Sequence, residues 1–161
     1  MRQRKDFLDD ESATERLGEA IGHMLRPGLK IYLHGDLGAG KTFLTRAILR
    51  AAGHTGRVKS PTYTLLEPYT VTLQGHTVAL CHFDLYRISS PREFIEAGFR
   101  DYFGDENICI VEWPEQAGDL LPKADMEIFL TAEHQGRTVE LRARSELGAT
   151  CLENLYPSPN T

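Results

Sequence analysis

Apolar positions along the chain fall into two periods. Leu17, Ala20, Ile21, Met24 and Leu25 recur at helical spacing behind a Ser12/Glu15 capping box, predicting a first helix that ends near Arg26-Pro27-Gly28. Leu44, Ala47, Ile48 and Ala51 predict a second helix, stopped by Gly53. Between them Leu29–His34 reads as a short strand. Thr62–Val71 and Thr77–Phe83 read as strands joined by a Gln74-Gly75 turn. Ser90-Pro91-Arg92-Glu93 is a helix start, with a Ser cap, Pro at the first position and Glu at the third. Ile108–Val111 is a short buried strand. Met126–Thr131 and Thr138–Arg142 alternate apolar and polar residues, which suits a sheet edge with one wet face.

Strands alternating with helices predict an α/β fold: a largely parallel central sheet, an antiparallel hairpin added to it, and helices on both faces. The expectation is one domain over residues 1–161. Residues 1–10 read as a flexible arm and about 146–161 as a C-terminal tail, with Pro157–Thr161 disordered.

Charge and composition then narrow the class. The net charge of −5 argues against the chain alone holding DNA, RNA or an anionic membrane. No apolar run exceeds four residues, and no apolar stretch follows the basic start, so neither a membrane span nor a secretory signal is expected. Cys81, Cys109 and Cys151 are far apart and odd in number, which points to a reducing cytoplasm, and Cys81 and Cys109, inside apolar runs, read as small core residues.

The chemistry concentrates at Gly35-Asp36-Leu37-Gly38-Ala39-Gly40-Lys41-Thr42, a complete G-x-x-x-x-G-K-[ST] phosphate loop between a strand and a helix. The glycines let backbone N–H groups converge on phosphate oxygens, and the helix start adds its positive end. Lys41 is expected on the outer phosphates and the Thr42 hydroxyl on Mg²⁺. Such a site needs a carboxylate at a strand end. Glu112 ends the apolar run from Ile108, and Asp84 ends the run from Val78. Glu112 is read as the metal ligand, directly or through water. Asp84 is read either as a group beside the metal's ligands or as the base that orients the attacking water. Lys59-Ser60-Pro61-Thr62-Tyr63 reads equally as a phosphate-sensing loop or as an ordinary Pro corner. Trp113 reads as packing, and the six histidines show no metal-ligand spacing. No N-K-x-D is present, against a GTPase, and no protein-kinase pattern fits.

The blocks around these residues carry a family resemblance. His34-Gly35-Asp36-Leu37-Gly38-Ala39-Gly40-Lys41-Thr42, Val58-Lys59-Ser60-Pro61-Thr62-Tyr63-Thr64-Leu65, His82-Phe83-Asp84-Leu85-Tyr86-Arg87 and Ile110-Val111-Glu112-Trp113-Pro114 occur in order, with Gly98-Phe99-Arg100-Asp101-Tyr102-Phe103 before the last. Together they resemble the bacterial TsaE family over about residues 10–145. The resemblance implies an ATPase of tRNA threonylcarbamoyladenosine biosynthesis that uses ATP and Mg²⁺. It implies work with TsaD and TsaB, hydrolysis that resets their transferase between turnovers, and contact with tRNA only through that complex. It implies phosphate and metal roles for Lys41 and Thr42, required acids at Asp84 and Glu112, Trp113 beside the site, and a switch-like loop at Ser60–Tyr63. It also implies base contacts around Glu11 and Gly136. The hairpin at Val71–His76 and the Ile95-Glu96-Ala97 stretch depart from the family's usual pattern, away from the nucleotide residues. Low activity alone is expected, since the motifs hold no obvious arginine finger. A P-loop kinase for a small molecule, or a nucleotide-gated binding module, are the alternatives.

Overall fold

Lys30–His34 and Ile108–Glu112 are buried along almost their whole length and pair in parallel, with Leu33 opposite Glu112. Strands apolar on both faces must be covered on both, and these two form the middle of the sheet. The computed structural model describes residues 2–157. In chain order the elements are β1 (Gln3–Leu8), α1 (Glu11–His23), β2 (Lys30–His34), α2 (Lys41–Ala51), β3 (Leu66–Leu73), β4 (His76–Asp84), α3 (Pro91–Glu96), β5 (Ile108–Glu112), β6 (Met126–Glu133), β7 (Gly136–Ala143) and α4 (Glu146–Leu155). Short 3₁₀ segments cover Phe99–Tyr102 and Pro114–Leu120.

The sheet runs β1-β7-β6-β2-β5-β4-β3. β4, β5, β2 and β6 are mutually parallel; β3 flanks them antiparallel on one side and β7 on the other, with β1 antiparallel to β7 at the edge. Alternation sorts the side chains into two cores. Ile31, Leu33, Ile108 and Ile110 join one with Ile21, Leu44, Ile48 and Leu152 of α1, α2 and α4. Tyr32, Cys109 and Val111 join the other with Phe94 of α3 and Phe99. The expected α/β architecture with a mostly parallel sheet and helices on both faces is what forms. All three cysteines are buried free thiols. No described helix is long and apolar enough to cross a membrane.

Several expected boundaries are corrected. Residues 3–8 of the expected arm form β1, paired residue by residue with β7. Only Leu8 of that strand is buried, so its hold on the sheet is backbone pairing, which a side-chain pattern does not register. A charged, short strand also suits a sheet edge. β7 is therefore interior, and the edge expected at residues 126–142 belongs to β1. The first helix is capped by Asp10, whose side chain accepts from the Ala13 N–H at 2.9 Å, not by Ser12. β3 starts at Leu66 rather than Thr62, because Leu65 takes a left-handed conformation (φ 66°) that closes a turn. Residues 146–155 of the expected tail form α4, capped by Ser145 at 3.0 Å from the Gly148 N–H and seated on β7 through Cys151 and Leu152. Of the tail Pro157–Thr161, residues 158–161 lie outside the described residues.

Lys30, 6% exposed, opens β2, and its ammonium donates to three carbonyls: Gly28 (2.8 Å), Gly104 (2.8 Å) and Asn107 (2.7 Å). It ties β2 to the loop that leads into β5, so the two site-bearing strands start together. Lys30→Met strands three acceptors at a cost of about 3 kcal/mol. The expected fall in melting temperature is roughly 6–12 °C. An unchanged melting curve would show that water satisfies those carbonyls instead.

Candidate functional site

Between the end of β2 and the start of α2 the backbone turns back on itself through Gly35, Gly38 and Gly40, at φ of 155°, 80° and 104°. A Cβ at Gly35 would lie 2.6 Å from the Leu130 carbonyl oxygen, and one at Gly40 would lie 2.8 Å from Arg137 Nε. The positive φ favours glycine at all three, and at Gly35 the backbone of Leu130 also leaves no room for a Cβ. α2 then begins with no side-chain cap and no acidic residue in its first turn. Its free N–H groups and positive end are left uncompensated, an arrangement that suits an anion.

Lys41 is 5% exposed. Its Nζ donates to the Gly35 carbonyl at 2.5 Å and lies 3.9 Å from the centre of the Trp113 ring. Burial pulls its pKa below the usual lysine value, against the opposing charges of Glu112 and Asp84. Trp113 holds that position with a left-handed backbone (φ 58°) and a tilted contact to Tyr86, 4.9 Å between ring centres. Such a conformation costs of order 1–3 kcal/mol away from glycine. The tryptophan that its residues alone presented as packing, and the family resemblance set beside the site, thus lies directly on the loop lysine.

Parallel strands end on one side of a sheet, and that geometry brings the acids together. Asp84 is the register partner of Glu112, and Glu112 of Leu33, two residues before the glycine loop opens at Gly35. Glu112 is 3% exposed. Its Oε2 accepts from Thr42 Oγ1 at 3.3 Å and from His82 Nε2 at 2.6 Å. Asp84 is half-buried and accepts from the Tyr86 N–H at 3.1 Å. Burial pushes its carboxyl above the ordinary range; the Tyr86 bond opposes the rise and the charge of Glu112 adds to it.

These groups line one crevice of about 270 Å³ together with Gly38, Ser60 and Thr62. The Ser60 and Thr62 hydroxyls share a bond of 2.7 Å at its mouth. The Leu65 carbonyl, where that loop ends, accepts from the Asp84 N–H at 3.0 Å. Pro61 is buried, and Tyr63 is exposed under the Arg87 guanidinium. Asp36 and Leu37 are exposed, Leu37 at the lining of the crevice. A larger depression of about 530 Å³ lies by the β3–β4 turn, at the opposite end of β4, and contains none of the motif residues.

Two expected residues lie away from the crevice. Glu11 is exposed at the first position of α1. Gly136 is buried against β1, where a Cβ would meet the Leu8 carbonyl and the Phe7 ring. Its neighbour Arg137 does reach the glycine loop, donating from Nε to the Ala39 carbonyl. Neither Arg137 nor His82 stood out in the sequence. His82 carried a usable signal, since residues two apart on a strand share a face, and Asp84 is two positions on. Arg137 carried none, because its contact joins segments almost a hundred residues apart.

The Asp84 carboxyl titrates higher in the fold than in the unfolded chain. Its ionised form therefore destabilises the fold at pH values above the folded pKa, and that penalty is gone below the ordinary value of 3.8. Asp84→Asn keeps an acceptor for the Tyr86 N–H and removes the charge. A melting temperature raised by roughly 2–4 °C at pH 7.5 is expected, with the gain shrinking toward pH 4. Thermal melts at the two pH values check this; a less stable variant at pH 7.5 contradicts it.

Comparison with known proteins identifies relatives of the whole chain. Residues 8–139 match the family model described as threonylcarbamoyl adenosine biosynthesis protein TsaE. The tRNA threonylcarbamoyladenosine biosynthesis protein TsaE of Haemophilus influenzae is 41% identical over 147 residues, 88% of this chain and 90% of its own. The protein of the same name from Bacillus subtilis is 31% identical, over 81% of this chain and 78% of its own. The crystal structure of Bacillus subtilis YdiB superposes with a TM-score of 0.78 at 26% identity, covering 96% of this chain and 94% of that one. With the family model spanning most of its length, the chain belongs to the TsaE family of tRNA threonylcarbamoyladenosine biosynthesis.

Proposed function

We propose that this protein is a Mg²⁺-dependent ATP hydrolase that works with TsaD and TsaB and resets their transferase between turnovers. The observation that carries the reading is the convergence of Lys41, Thr42, Asp84 and Glu112 on one crevice at the start of α2. In this reading the Gly35–Gly40 backbone and the first turn of α2 bind the phosphates. Lys41 gives up the Gly35 carbonyl for the terminal phosphate, and the Trp113 ring keeps its side chain extended along the crevice.

Thr42 and Glu112 present a hydroxyl and a carboxylate side by side, hard oxygen donors that fit Mg²⁺. When bound, the ion supplies neutralisation of charge on the outer phosphates. Asp84, with its raised pKa, accepts a hydrogen bond from the attacking water and takes up its proton. Ser60 and Thr62 offer hydroxyls to the terminal phosphate, and the Leu65–Asp84 backbone bond couples that loop to the water-orienting acid. The base lies along the edge where the start of α1 meets the β6–β7 hairpin, near Glu11 and Gly136. Support for that placement is Arg137, which follows Gly136 and bonds the glycine loop.

No arginine is among the residues lining the crevice. Turnover alone is therefore slow, and the missing charge comes from a partner or from Arg87, now stacked on Tyr63. The net charge of −5 favours contact with tRNA through the complex rather than directly, with no role for membrane or DNA, in the cytoplasm.

Phosphate release from Mg·ATP, with and without TsaD–TsaB, tests the proposal. Strong stimulation by the pair is expected. Absent stimulation with ATP binding intact would turn the reading toward a gated binding module, and a phosphorylated metabolite appearing with ADP would turn it toward a kinase.

A further inference from the structure

His82 belongs to none of the roles above. Its ring is fully buried in β4, one strand from Glu112, and the two side chains share a face of the sheet. Its Nε2 lies 2.6 Å from Glu112 Oε2, while its Nδ1 is buried with no hydrogen-bond partner. A carboxylate only accepts, so the proton of this bond sits on Nε2. A buried imidazole with one satisfied nitrogen and one orphaned nitrogen is a poor way to stabilise a core, since the orphan carries its own desolvation cost. The arrangement does accomplish one thing: it fixes a carboxylate. The Thr42 hydroxyl donates to the same Oε2. Both bonds fall on one oxygen, so the carboxylate cannot rotate without breaking them. Oε1 takes neither bond and is the oxygen left for a cation.

We propose that His82 is the positioning residue for the metal site: by holding Glu112 Oε2 from Nε2 it presents Oε1 toward a divalent cation at Thr42. The inference rests on the reading of Glu112 and Thr42 as the Mg²⁺ site. Groups that orient a ligating carboxylate typically contribute 10- to 100-fold in metal affinity.

The test replaces the ring by amides of two lengths. His82→Gln places its side-chain N–H₂ about where Nε2 lies, while His82→Asn reaches only the depth of Nδ1. Both are polar and both leave a similar gap. The readout is the Mg²⁺ concentration that half-saturates ADP binding, followed by the fluorescence of Trp113, the only tryptophan of the chain. Wild type is expected to show a clear Mg²⁺ dependence. His82→Asn should raise the midpoint by about 10- to 100-fold, and His82→Gln should stay within about threefold of wild type. Binding of ADP without Mg²⁺ should be equal in all three.

Equal midpoints in wild type and His82→Asn, or equal impairment of the two variants, overturn the role of His82 and leave the metal site standing. A wild type whose ADP binding ignores Mg²⁺ overturns the metal reading and this inference with it. A measurement on unaltered protein guards against a folding defect in the variants. Nitrogen NMR of labelled histidine should find His82 protonated at Nε2 and in slow exchange; a bare Nε2 overturns the proposal.

Discussion

Lys41→Ala is expected to abolish phosphate release, by about 10³-fold or more, and to leave a folded protein. The two effects separate because the ammonium serves the loop and not the core. Its neighbours are the Gly35 carbonyl and the Trp113 ring, both at the crevice. Losing the bond to Gly35 costs stability, but the amine is a buried cation whose pKa is depressed in the fold. A base of that kind destabilises the folded state as pH falls below its ordinary value of 10.5, neutral pH included, so its removal returns part of what the bond supplied. The melting temperature should move by no more than about 4 °C. Nucleotide affinity should fall by roughly 30- to 150-fold, the worth of a charged bond to phosphate at about 2–3 kcal/mol. Calorimetric titration with a slowly hydrolysed ATP analogue measures it. An affinity equal to wild type would sink the assignment of residues 35–42 as the phosphate site.

The glycine loop was legible from sequence because its demands are local: glycine where φ is positive or backbone approaches closely, and lysine and threonine at the helix start. Asp84 and Glu112 were legible for a different reason. Each ends an apolar run, and parallel strands deliver their ends to one place. What escaped was anything carried by the backbone or by distant side chains. β1 exposes five of its six residues and is held by main-chain pairing with a strand at the other end of the chain, Gln3 opposite Arg142. The start of α1 was misplaced because Ser12 and Glu15 imitate a capping box, while Asp10 makes the actual bond. α4 buries few side chains and shows too short a pattern to declare itself. His82 was passed over because ligand spacing along the chain was the criterion, whereas its partner sits across the strand on Glu112. Trp113 read as packing from its own residues, and only the family resemblance set it beside the site, because nothing local announces a left-handed tryptophan over a lysine.

Glu112→Gln separates the acids. The amide keeps an oxygen that accepts from His82 Nε2, so the buried ring retains its partner and the fold survives. Glu112→Ala offers no acceptor and leaves both the His82 and Thr42 donors stranded, at about 1–3 kcal/mol each. The glutamine variant therefore isolates the charge. Turnover with TsaD–TsaB should fall by about 10²- to 10³-fold, and the Mg²⁺ dependence of ADP binding should flatten. Binding of ADP without Mg²⁺ should hold or tighten, because a carboxylate close to the bound phosphates repels them and the amide does not. Asp84→Asn gives the contrasting result on the same assays: lost turnover with the Mg²⁺ dependence intact, as a residue that orients water requires. Normal turnover in Glu112→Gln would remove it from the metal site. A flattened Mg²⁺ response in Asp84→Asn would move the cation to the neighbouring strand end and leave Glu112 as the acid that faces the water.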